Sequence, residues 1–235
     1  MRGLLTLYSV ASIVSFTTLA LTIASIAKPS WIVEQAPSLI ELRHKTTYGL
    51  FQLCEAHPYL PGVVECRRFP QRGRDCGKLV HLLNGGSIVG MLSGDGRHDS
   101  EDMWGFCESW YTAGYAQQLS LVFALANLIA LVLTLIGTAT VGPGYRTDKL
   151  RSGWKLVAGL MSLQAVCLLL ASSFVAFERN HNFRFVEGAH LGQAWAMTTV
   201  AYSLNLAVVF SLLFIRATGR FSIVPGEDGY EPIHG

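Results

Sequence analysis

Four long apolar stretches without a single Asp, Glu, Lys, Arg or His divide the chain: Leu4–Ala27, Leu119–Val141, Leu156–Phe177 and Leu191–Ile215. A helix rises about 1.5 Å per residue and the hydrocarbon core of a bilayer is about 30 Å thick, so about 20 apolar residues suffice to cross it. Each stretch passes that test. Lipid offers no partner to an open backbone, and nothing in the pattern alternates as a closed barrel would, so each stretch is expected to be helical. The pattern predicts an all-α membrane protein, a four-helix transmembrane bundle whose first partner is the lipid bilayer.

Composition agrees. Of the 235 residues 51% are hydrophobic and only 14% charged, against roughly a quarter charged in a soluble chain. The charges are segregated: residues 28–108 hold nine of the eighteen Lys and Arg and ten of the sixteen Asp and Glu. A net charge of +2, with no basic run interleaved with aromatics, argues against nucleic acid as a partner.

Short flanking segments set the orientation, because Lys and Arg are retained on the cytosolic side. The 142–155 connection carries Arg146, Lys149, Arg151 and Lys155 against Asp148 alone, Arg2 precedes the first stretch, and Arg216 and Arg220 follow the last. The 178–190 connection balances Arg179 and Arg184 with Glu178 and Glu187. The expected topology has residues 1–3, the 142–155 loop and the 216–235 tail in the cytosol. Residues 28–118 form a long outer loop and 178–190 a short one. A cleaved signal peptide competes for the first stretch, with Ser25-Ile26-Ala27 as its cleavage site, but the apolar run is longer than the about 7–15 residues such signals use.

Ionisable groups inside a membrane mark relays, counter-ions and axial ligands. Their absence from all four stretches argues against transport and redox roles and leaves no cofactor to be named. Asn127, Gln164, Gln193 and Asn205 are the most polar residues there and are expected to hydrogen-bond between helices. Small residues four apart, Ala11/Ser15, Ala20/Ala24 and Ala158/Ser162, allow close helix approach. Cys167 lies in the middle of the third stretch, where a packed thiol is expected.

The outer loop holds Cys54, Cys66, Cys76 and Cys107, four of the five cysteines, on the oxidising side where thiols pair. Four cysteines allow three pairings. Cys54–Cys66 with Cys76–Cys107 closes one small loop and one larger one, and is the favoured arrangement. Zinc is the alternative, since His44, His57, His81 and His98 share the loop, but neither C-x-x-C nor H-x-x-x-H spacing occurs. No G-x-S-x-G or H-E-x-x-H motif points to a hydrolase or to a small-molecule substrate, and no N-x-[ST] acceptor occurs. Gly85-Gly86 and Gly94-Asp95-Gly96 mark turns in a stretch, 84–102, that reads as a flexible insertion. Trp31–Val33, Ser38–Leu42 and Thr47–Leu53 have the spacing and side chains of strands, and a short antiparallel sheet stapled by disulfides is expected.

These residues carry a resemblance. Trp31 just after the first stretch, then Gly49-Leu50-Phe51-Gln52-Leu53-Cys54 and then Cys66, resemble the W…G-L-W-x-x-C…C signature of the claudin, peripheral myelin protein and epithelial membrane protein superfamily. The resemblance implies an extracellular sheet on a four-helix bundle, a disulfide between the two signature cysteines, and structural roles for Trp31, Gly49, Leu50, Phe51, Cys54 and Cys66. The chain departs from the pattern in five ways. Phe51 replaces the second Trp, the outer loop is longer, and Cys76 and Cys107 are additional. No Arg stands at the start of the second apolar stretch, where claudins carry one, and Ile233-His234-Gly235 lacks the apolar last residue of a PDZ ligand. The Arg67-Arg68-Phe69-Pro70 stretch and the Phe106-Cys107-Glu108-Ser109-Trp110 run are similar to fungal claudin-like proteins of the PalI group, plasma-membrane organisers and ambient-pH-response components.

The implied function is non-enzymatic: organising a plasma membrane or cell-surface contact by lateral self-association, or association with other membrane proteins, through the outer loop. The alternative is a sensor or auxiliary subunit of a signalling or channel complex, since four loop histidines would change charge between about pH 5 and 8. A selective pore lacks the single-sign charge cluster it would need. In the tail, Tyr230-Glu231-Pro232-Ile233 resembles a sorting signal read through Tyr230 and Ile233.

Overall fold

The computed structural model describes residues 2–35, 45–56, 63–71, 75–76, 98–140, 143–182, 184–185 and 188–217. Helix α1 (Arg2–Ala27) runs through the first apolar stretch and stops at Lys28-Pro29. Proline disfavours helical backbone in the residue before it, so the chain leaves the helix there. Helix α2 (His98–Thr140) and helix α3 (Pro143–His181) are 43 and 39 residues long, about twice what a bilayer core requires. Proline at the first position of α3 supplies no donor where none is needed. Helix α4 (Gln193–Ala217) closes the bundle.

Four segments of these helices are long and apolar enough to cross a membrane: Tyr8–Ala27, Gly105–Ile136, Gly153–His181 and Gln193–Ile215. This is the architecture of a multi-pass membrane protein. The outer surface agrees, with Ile13, Phe16, Val122, Ile129, Phe210 and Phe214 all facing outward.

One end of the bundle carries a five-stranded antiparallel sheet, β1 (Ile32–Gln35), β2 (Lys45–Tyr48), β3 (Gln52–Ala56), β4 (Val64–Arg68) and β5 (His190–Leu191), in the order β4-β3-β2-β1-β5. The first four follow α1, and β5 comes from the α3–α4 connection, so both inter-helix connections at this end enter one sheet. Ile32 pairs with both Tyr48 and Leu191, which makes β1 the seam between them.

Several boundaries differ from the sequence expectation. Residues 98–118, read as loop, are helical and belong to α2, and they include 98–102 of the supposed insertion. Most of 142–155 is the start of α3. His190–Leu191, the edge of the fourth apolar stretch, is a strand instead. Hydropathy marks the lipid-thick part of a helix and says nothing of where its hydrogen bonds end. Of the expected strand segments, Ser38–Leu42 lies outside the described residues. So do His44, His57, His81, Tyr230 and Ile233, and the side chain of His98.

Candidate functional site

The sheet is bound to the bundle by one continuous apolar cluster, whose residues come from the sheet, α2, α3, the α3–α4 connection and α4. Trp31, Ile32, Leu50, Leu53 and Phe69 come from the sheet side. Phe106, Trp110 and Ala113 come from α2, Ala171 and Val175 from α3, and Phe185 and Ala194 from the α3–α4 region. Trp31 and Trp110 are fully buried. The rings meet mostly edge-on or tilted, with Tyr48 5.1 Å from Phe185, Phe69 5.4 Å from Trp110 and Phe106 5.4 Å from Trp110. That geometry places positive ring edges against negative faces.

Trp31 connects three elements. Its indole N–H donates to the Ser25 carbonyl at 2.9 Å, one of the last carbonyls of α1. Those carbonyls have no partner within the helix, so the ring satisfies a group that would otherwise be orphaned. The Trp31 backbone donates to Tyr48 O and accepts from Gly192 N, joining β2 and the start of α4. Gln52 adds a side-chain bond to the Ala27 carbonyl at 3.3 Å.

The turn from β2 to β3 explains the glycine. Gly49 N donates to Gln52 O at 2.7 Å, and a Cβ on Gly49 would stand 2.8 Å from both Gln52 O and Pro29 Cα. Both obstacles are backbone and cannot yield. Leu50 turns into the core, whereas Phe51 is 38% exposed and lays its ring against α2 at Gly114, where a Cβ would lie 3.2 Å from the ring. The residue in the place of the signature's second Trp therefore grips the bundle from outside, over a glycine that leaves room for it.

The strands are tied covalently. Cys54 and Cys66 face each other across β3 and β4 and are bonded, and Cys76 is bonded to Cys107 of α2. The pairing is the favoured one. With these thiols in disulfides, none is a metal ligand, and no cluster of three or more His, Cys, Asp and Glu occurs among the described residues. Cys167 is a free, buried thiol.

A charged network joins β4, the segment after it and the α3–α4 connection. Arg67 of β4 donates from both terminal nitrogens to the Asp75 carboxylate, at 2.7 and 2.8 Å. Gln71 N donates to the same carboxylate at 2.7 Å. Arg184 reaches from the α3–α4 connection to donate to the Asp75 carbonyl and lies 4.9 Å over the Phe106 ring. Burial alone would raise the Asp75 pKa, but the hydrogen bonds and charge of Arg67 and the Gln71 amide outweigh it and hold it below its ordinary value. The same pair raises Arg67, and burial lowers Arg184. Burial, then Glu34 beside its hydroxyl at 3.1 Å, pushes the Tyr48 phenol up. Tyr111 of α2 donates to the Pro70 carbonyl at 2.9 Å, closing the rim against the helix.

Within the bundle, Asn127 donates to Ser15 Oγ at 2.8 Å and Gln117 donates to Ser25 Oγ at 2.7 Å. Both bonds join α1 to α2, ten residues apart on each helix. Asn127 thus does what the sequence suggested. Gln193 instead accepts from Lys28 at the helix end, and the Gln164 and Asn205 side chains bond to no protein group. Of the small-residue pairs, Ala11/Ser15 faces inward, whereas Ala20 faces outward.

Sequence reasoning singled out Trp31, Gly49, Leu50, Phe51 and the four paired cysteines, and the structure gathers them at one end of the bundle. It did not find the Arg67–Asp75 pair or the part played by Phe185. Phe106 and Trp110 carried a readable signal, since aromatics four apart share a helix face. No known protein family matches the chain, and no characterised protein matches it either.

Proposed function

We propose that the chain is a claudin-like, non-enzymatic organiser of the plasma membrane. Its sheet would lie outside the cell, both termini in the cytosol, and its contacts would run through the sheet. The supporting observation is a braced sheet whose outer strand, β4, has no further strand beside it among the described residues. Val64 within that strand and Val63 just before it are 57% and 44% exposed, on a sheet fixed by two disulfides and a buried aromatic cluster. An unpaired strand edge presents backbone donors and acceptors to another chain. The apolar stretches hold no group suited to chemistry or transport, so the sheet is where specificity can reside.

Imaging a tagged protein at native level tests this reading. Discrete surface patches are expected, and a Val64→Lys substitution at the strand edge should disperse them while the protein still reaches the surface. Uniform endomembrane staining, or patches indifferent to Val64→Lys, would remove it.

A further inference from the structure

We propose that Asn127, Gln164 and Asn205 form a water-binding site in the middle of the bundle. All three side chains are fully buried. Asn127 spends its Nδ2 on Ser15, leaving Oδ1 unpartnered, and Gln164 and Asn205 have no protein partner for either the oxygen or the nitrogen. Five polar atoms on three helices therefore reach into the bundle without a protein partner.

Helix register brings them to one level. Gly153 of α3 lies against Thr134 of α2; from there Gln164 is about 16 Å along α3 and Asn127 about 10 Å along α2, at 1.5 Å per residue. Trp195 of α4 donates to the Ser172 carbonyl of α3; from that bond Gln164 is about 12 Å and Asn205 about 15 Å toward the other end. The three amides thus fall within about 6 Å of height, little more than one helical turn. Ser15 shares the level through Asn127.

The chemistry of the atoms selects the ligand. Three carbonyl oxygens accept and two amide nitrogens donate, so the occupant must do both. No Asp or Glu lies in the apolar stretches to neutralise a cation, and no Lys, Arg or His to neutralise an anion, so a bound ion would be an unpaired buried charge. Water donates and accepts, carries no charge, and is held inside proteins by two to four polar partners of this kind. Ordered water also satisfies polar groups freed within membrane helices.

Solid-state NMR of the full-length protein in lipid bilayers tests the site. The side-chain amides of the unsubstituted protein are labelled with nitrogen-15 and assigned by residue-pair labelling, so that no variant has to fold. Magnetisation from water should build up on the Gln164 and Asn205 amides as it does on the exposed Gln193 amide. The methyl groups of the neighbouring Leu168 should receive none directly. Both amide signals should be lost after exchange into deuterated water. Amide signals that receive nothing from water would overturn the proposal, as would direct Gln164–Asn205 bonding or transfer from the non-exchangeable protons of a co-purified molecule.

Discussion

Replacing Asp75 by Ala isolates one interaction that holds the sheet to itself. The carboxylate accepts two bonds from Arg67 and one from the Gln71 amide, all between 2.7 and 2.8 Å, and its side chain is 8% exposed. Charged hydrogen bonds contribute about 1.5–3 kcal/mol each, and breaking a buried pair costs about 3–5 kcal/mol because the surviving charge stays buried. Arg67 is 25% exposed, so water recovers part of that loss, as it does for surface pairs worth about 0–1 kcal/mol. The net expectation is about 2–3 kcal/mol.

Hydrogen exchange at the Leu53 and Cys54 amides of β3, read in detergent or lipid, should then run about 30–150-fold faster in D75A, since 1.4 kcal/mol is tenfold. The pH dependence follows from the depressed pKa. A carboxylate held below its ordinary value of 3.8 contributes fully above that value, and the contribution is lost as pH falls through the lowered one. Protection of the unsubstituted sheet, corrected for intrinsic exchange rates, should fall in that acid range, and that of D75A should not. The double substitution Arg67→Met with Asp75→Leu should regain part of the loss, because no charge is left buried. Equal protection in D75A and the parent, or a parent indifferent to acid, would refute the reasoning.

Three further outcomes are expected. Serine at Cys54 and Cys66 should cost the sheet about 3 kcal/mol and serine at Cys76 and Cys107 about 4 kcal/mol by loop-closure entropy, read by the same exchange measurement; a smaller loss for the second pair would contradict the loop-length argument. Gly49→Ala should cost about 1–3 kcal/mol through backbone collision, whereas Gly114→Ala, which meets only the edge of the Phe51 ring, should cost less than about 1 kcal/mol; thermal unfolding of the two variants side by side decides it. Asn127→Leu should destabilise the α1–α2 pair by about 0.6–2 kcal/mol, and adding Ser15→Ala should cost little more, since the two share one bond.

The fold was legible where one rule decided the matter. Four spans follow from the cost of charge in lipid, and Gly49 and Cys54 follow from turn geometry and pairing. What escaped the sequence was set by contacts at long separation. Residues 98–118 are too polar for a hydropathy window, yet they stay helical because Phe106, Trp110 and Ala113 bury one face against the sheet. Strand β5 is two residues long, too short for any alternation to show. Asp75 meets Arg67 only because the chain reverses beyond β4, and neither residue type announces its partner.

The bundle and the sheet solve the same problem with opposite materials. A soluble domain hides apolar groups, but lipid is as apolar as leucine and gives helices no reason to meet. Here the outward faces of the spans are apolar, and the α1 face toward α2 is lined by Ser15, Thr18, Thr22 and Ser25, all buried. The Thr18, Thr22 and Ser25 hydroxyls bond back to their own helix, leaving Ser15 and Ser25 oxygens to accept from Asn127 and Gln117. The residue numbers of each bonded pair sum to 142, as an antiparallel register requires, and a slip by one turn would break both bonds together. The sheet, beyond the apolar spans, uses rings, disulfides and a bidentate ion pair. Polar bonds set register between the apolar spans, and apolar packing fixes the position of the sheet on them. Trp31 stands at the boundary, with its ring in the aromatic cluster and its N–H on the last turn of α1.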